Sequence, residues 1–137
     1  DGIRDHCVTG VQTCALPISV DCEALLIRTG IESYRASDPE SFANDGPFLG
    51  GDLARHLRTL SRLRFVGIDA ISISSPKNRT TGRESHRTLL GSGAGPAVFI
   101  LEDLSLSGLA SAPKEIWVVP IRVRGADGAP LTVVARI

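Results

Sequence analysis

Leucines recur every three or four positions over residues 48–64, at Leu49, Leu53, Leu57, Leu60 and Leu63, with Arg55, Arg58 and Arg62 between them. That spacing predicts an amphipathic helix from Phe48 to Arg64 with its apolar stripe on a core. Ahead of it, the short apolar run Cys22 to Arg28, closed by Thr29 and Gly30, reads as a buried strand. The Ser-, Asp-, Pro-, Asn- and Gly-rich stretch up to Pro47 reads as a loop with at most short turns. After the helix, Phe65 to Ser74 has β-branched residues and partial alternation, which predicts a strand. Residues Ser75 to Glu84 are polar and predict a surface loop, and Ser85 to Leu90 a helical turn. The apolar run Ala97 to Leu101 predicts a further strand, and Leu104, Leu106 and Leu109 a short helix. Near the C-terminus, IWVVPIRVR and PLTVVARI flank Gly125 to Ala129, where Asp127 and Gly128 signal a hairpin, and Pro120 confines its strand to an edge or bulge. No internal repeat appears, so the pattern predicts one mixed α/β unit with its helix on one face of a sheet.

The first eighteen residues read differently. DGIRDHCVTGVQTCALPI resembles the conceptual translation of a short-read sequencing adapter with its index. Such a segment is foreign to the fold and is set aside; the native protein is then expected to begin upstream of Ser19, with an N-terminal part missing. Of 137 residues, 137 − 18 = 119 remain, still of domain size. The whole chain has 15 basic and 15 acidic residues; without Asp1, Arg4 and Asp5 the balance is 14 − 13 = +1. That charge is no nucleic-acid footprint, so no nucleic-acid partner is expected. Cys22 is the single cysteine left, which makes no disulfide framework and favours a reducing cytoplasm. No apolar run approaches the roughly 20 residues of a membrane span, so no membrane partner is expected.

Two residues carry candidate chemistry. His86 in SHRTLL and Glu102 in FILEDLSLSGL lie on either side of a glycine-rich segment, the second at the end of an apolar strand. Neutral imidazole and carboxylate suit zinc, and a carboxylate closing an apolar strand is costly to bury unless paired or metal-bound. The same residues also fit a histidine packed near a turn and a glutamate at a helix N-terminus, where the dipole favours it. Other signals point elsewhere. Gly91, Gly93 and Gly95 form a flexible loop before a strand, and without GK[ST] or a following helix this is no nucleotide motif. His56 lies off the leucine stripe as a solvated side chain, and Asp69, in the middle of a predicted strand, reads as structural, either a buried partner or a strand-end contact. Asn78, Arg79 and Thr80 make a glycosylation sequon without meaning in a cytoplasmic protein, and no catalytic motif surrounds Cys22.

From Cys22 to Arg136 the ordered segments ALLIRTG, the leucine helix, FVGIDAISIS, SHRTLL, FILEDLSLSGL and PIRVRGADGAP resemble the metal-dependent cyclase family that includes kynurenine formamidase. The resemblance implies a β/β/α fold of the swivelling type, here N-terminally truncated, holding two adjacent divalent metals, zinc or in some members manganese. It implies that His86 is a ligand of the second metal and that Glu102 is shared by both, with Asp103 as the alternative carboxylate, because the sixteen-residue spacing is a few residues longer than the family's, with GSGAGP as the insertion. The family's upstream HxGTHxDxPxH motif, which supplies most first-site ligands and the acid–base histidine, is absent, so no catalytic residue is expected in this chain. The implied reaction is hydrolysis of a small-molecule amide, N-formylkynurenine, to kynurenine and formate in tryptophan catabolism, by a parent that is a homodimer. A sister hydrolase acting on another ring or amide such as isatin, and a non-catalytic binding module on the same sheet, remain alternatives. The chain alone is expected to be inactive.

Overall fold

The computed structural model describes residues 18–91 and 95–137; the segment 1–17 and Gly93 of the glycine loop lie outside the described residues. The protein is a mixed α/β chain with one parallel and one antiparallel sheet, in two compact units divided between Leu106 and Ser107.

In the first unit, β1 (Ala24–Ile27), β2 (Phe65–Ile68) and β3 (Phe99–Leu101) form a parallel sheet in the order β1-β2-β3. Leu25 pairs with Val66, and Val66 with Ile100. These rungs send β-branched and leucine side chains into the core that buries Val66, Ile68, Leu57, Leu63, Ile73 and Leu89. Each parallel step needs a crossover. The first crossover carries α1 (Tyr34–Ser37), α2 (Pro39–Asn44) and α3 (Gly51–Thr59), and the second carries α4 (Arg79–Leu90). Both move the same way along the sheet, and crossovers of one hand then share a face; α3 does pack on α4.

Several expectations shift in register. The leucine helix is shorter than its pattern: α3 stops at Thr59, and Leu60 caps it with extended backbone. Leu49, Leu60 and Leu63 are buried all the same, from the turns on either side, so burial continued the helical spacing after the helix had ended. The 30–47 loop contains α2, which begins at Pro39 and is capped by Asp38, whose side chain accepts from the Ser41 amide. Bonds from both the Ser41 amide and its hydroxyl hold the Asp38 carboxyl below its ordinary pKa. The predicted strand to Ser74 narrows to four residues.

Two expectations are overturned. The polar span from Ser75 is not a surface loop: a short 3-10 turn at Pro76–Asn78 leads into α4 at Arg79. Its buried face is Gly82, Ser85 and Leu89, so small residues carry the packing and no apolar period shows. Residues Leu104 to Leu109 form no helix; instead Asp103 N–H and Leu104 N–H donate to Ala70 O and Ile68 O, tying the segment to the end of β2.

The second unit is a hairpin of β4 (Glu115–Pro120) and β5 (Leu131–Arg136), paired antiparallel from Glu115–Arg136 to Pro120–Leu131. The strands are joined by residues 121–130 rather than by a tight turn at Asp127 and Gly128. Pro120 has no amide proton to extend the ladder, and beyond it the Ile121 N–H donates to Pro130 O. No helix among the described residues is long and apolar enough to cross a membrane.

Candidate functional site

The structure brings His86 and Glu102 together. His86 lies in the second half of α4, one turn after Gly82, and its Nδ1 lies 2.9 Å from the Gly82 carbonyl. A carbonyl oxygen only accepts, so Nδ1 carries the proton, and in the neutral ring the lone pair belongs to Nε2. That nitrogen lies 3.3 Å from Glu102 Oε1.

Glu102 follows β3 directly, between the sheet and the backbone bonds that anchor Asp103 and Leu104. Its Oε1 also accepts from the Ser72 hydroxyl at 2.7 Å and from the Ile73 amide at 2.9 Å. Ser72 is itself held by the Ser74 amide at 3.1 Å and lies 3.0 Å from the Ser74 hydroxyl. Oε2 has no protein partner among the described residues. Both side chains are about one-third exposed, at 31% and 33%, so the pair is open to solvent and to a ligand.

The contact that permits this site is between α4 and the 72–74 segment. A Cβ on Gly82 would stand 2.0 Å from Ser74 Cβ, so only glycine lets the helix approach this closely. The same residue provides the carbonyl that orients His86. The S-x-S pair at 72 and 74 is the part of the site that sequence reasoning missed; its only trace was a pair of serines alternating out of an apolar strand.

Other candidate residues lie elsewhere. Asp103 has positive φ, 60°, and its carboxylate turns to Arg35 at 2.6 Å rather than to His86. That bond raises the Arg35 pKa. Asp69 is fully buried and accepts from Thr29 N, Thr29 Oγ1 and Gly30 N at 2.7–3.1 Å, which locks the C-terminal ends of β1 and β2. Gly30 takes φ 84° to present its amide there, a conformation that favours glycine. His56 is exposed on α3, and Cys22 is a free, half-buried thiol whose Sγ lies 3.0 Å from Ala24 O.

The donor set fits part of a metal shell. Two ligands at about 2.0–2.1 Å from a tetrahedral zinc lie roughly 3.3 Å apart, which is the Nε2 to Oε1 separation. A histidine whose other ring nitrogen donates to a backbone carbonyl has the orientation common to metal-bound imidazole. No group of three or more His, Cys, Asp or Glu able to hold a metal occurs among the described residues, so the pair supplies two ligands and not a complete shell. Compared with protein-family models, with curated proteins and with solved structures, the chain finds no match in any of the three.

Proposed function

We propose that this chain contributes His86 and Glu102 to the metal centre of an amide hydrolase of the metal-dependent cyclase type, acting on the formamide of N-formylkynurenine. The observation that carries the reading is the 3.3 Å approach of Nε2, on a ring whose Nδ1 is committed to Gly82, to a carboxylate oxygen. With the imidazole neutral both atoms carry lone pairs, and a divalent cation between them satisfies both. The ordered resemblance from ALLIRTG to PIRVRGADGAP supplies the identity of the reaction.

When bound, a divalent metal acidifies water and polarises a carbonyl oxygen, as amide hydrolysis requires. The chain's own residues hold the ligands. Gly82 O fixes the imidazole, while Ser72 and the Ile73 amide fix Oε1, and Oε2 stays available to a second ion. In this reading the remaining ligands and the acid that protonates the departing arylamine come from an HxGTHxDxPxH segment upstream. The swivelling β/β/α fold, the zinc or manganese pair and the homodimer belong to the same proposal.

The test is kynurenine release from N-formylkynurenine by the protein together with its upstream coding segment. Turnover should stop with chelator and fall at least a hundredfold in His86→Ala and Glu102→Gln. Turnover that survives both the chelator and the substitutions contradicts the proposal. Hydrolysis of isatin in place of the formamide would keep the metal centre and change the substrate.

A further inference from the structure

An open cavity of about 210 Å³ is lined by Ser72, whose hydroxyl donates to Glu102. Phe42 and Ala70 give it apolar walls, Ser72, Ser74 and Ser75 line it, and Arg79 borders it from the first position of α4. Its volume exceeds the roughly 150 Å³ that is enough for a benzene ring.

The charges around it do not cancel. Lys77, next in the chain to the cavity residue Pro76, is paired with Asp45 at 2.5 Å. Arg35, which lies over the Phe42 ring at 4.6 Å from its centre, is paired with Asp103. Glu102 is engaged by Ser72, Ile73 and His86. The first turn of α4 has no acidic residue, and no carboxylate pairs with Arg79 among the described residues. Arg79 therefore presents a planar fork of donors, matched to a carboxylate, at the border of a cavity with an aromatic wall.

We propose that this cavity binds an aromatic carboxylate, with Arg79 as the anion-binding residue and the ring against the apolar lining to which Phe42 and Ala70 contribute. In the hydrolase it would be the subsite for the acidic end of the substrate; that assignment rests on the proposed function, whereas binding itself does not.

The first experiment is an NMR titration of the 137-residue chain with benzoate and with the uncharged aromatic probe benzyl alcohol, repeated on Arg79→Gln and Arg79→Lys. Benzoate should give saturable shifts at the Ala70, Ser74 and Ser75 amides, with benzyl alcohol at least tenfold weaker. Arg79→Gln should weaken benzoate at least tenfold, to the level of the alcohol, while Arg79→Lys retains part of the preference. Arg79 is exposed, so neither variant endangers the fold. Absence of saturable benzoate binding, equal binding of the two probes, or an unaffected Arg79→Gln overturns the proposal. In the complete hydrolase, Arg79→Gln should raise KM for a carboxylated formanilide at least tenfold with little change in kcat, and leave neutral formanilide alone. If neither compound is hydrolysed while benzoate still binds through Arg79, the hydrolase reading fails and the anion site stands.

Discussion

Replacing Gly82 by alanine tests how the site is built. On an isolated helix the change is favourable by about 1 kcal/mol, since glycine is the poorer helix former. In this fold the new Cβ would lie 2.0 Å from Ser74 Cβ and 2.8 Å from Ser74 Cα. Carbon atoms need about 3.5 Å, so α4 and the 72–74 segment must separate by about 1.5 Å. Gly82 and Leu89 of α4 and Ile73 next to Ser74 are all buried, so neither segment lies against free space. Overpacking of this kind costs about 1–3 kcal/mol, and a clash with main chain belongs at the upper end. The net loss is therefore about 2 kcal/mol, or roughly 10 °C in Tm for a domain of this size. The same movement draws His86 from Glu102, which leave little slack at 3.3 Å. Urea denaturation of the two proteins measures the first effect, and the His86 ring response to zinc the second. Gly50→Ser is the control, because its Cβ meets nothing within 4 Å and Ser improves the α3 cap by a few tenths of a kcal/mol. A Gly82→Ala protein as stable as the wild type, with an unchanged zinc response, would refute the reasoning.

Further outcomes follow from the same framework. Asp69→Ala removes a buried acceptor from three donor groups, all on the exposed residues Thr29 and Gly30; a loss of about 3 kcal/mol in urea unfolding is expected. Asp38 has its pKa lowered by the Ser41 bonds, so its capping of α2 is in force above the ordinary aspartate pKa and lost as pH falls through the depressed value. The Asp38 carboxyl ¹³C shift should titrate below the usual range, with Ser41 amide protection disappearing over the same interval. The chain by itself should bind zinc weakly and hydrolyse no formamide, because two ligands leave the ion neither fixed nor activated; tight stoichiometric binding in calorimetry would contradict this.

What was legible in the sequence followed from how each element packs. The three parallel strands showed as short apolar runs, and Leu25, Ile27, Val66, Ile68 and Ile100 of those runs pack into one core. The first half of helix α4 was hidden because Gly82 and Ser85 make its contact face, and small residues leave no hydrophobic period there. The leucine stripe overstated α3 for the opposite reason: Leu60 and Leu63 reach the core from a turn. At the site, His86 and Glu102 could be named from motif order, and the structure sets them 3.3 Å apart. Ser72, Ser74 and Gly82 could not, because their roles depend on the contact between two segments that only the fold brings together.

The most direct measurement is the ¹⁵N–¹H correlation spectrum of the His86 ring in the labelled chain, followed through a zinc titration with Glu102→Gln alongside. The account predicts that Nε2 shifts to a metal-bound position while Nδ1 keeps its proton, and that the shift weakens or vanishes in the variant. The readout belongs to His86 alone, so zinc taken up by His56 or by thiols elsewhere does not count. An Nε2 signal that zinc leaves unchanged, or that responds equally without the Glu102 carboxylate, would contradict the assignment of this pair as metal ligands.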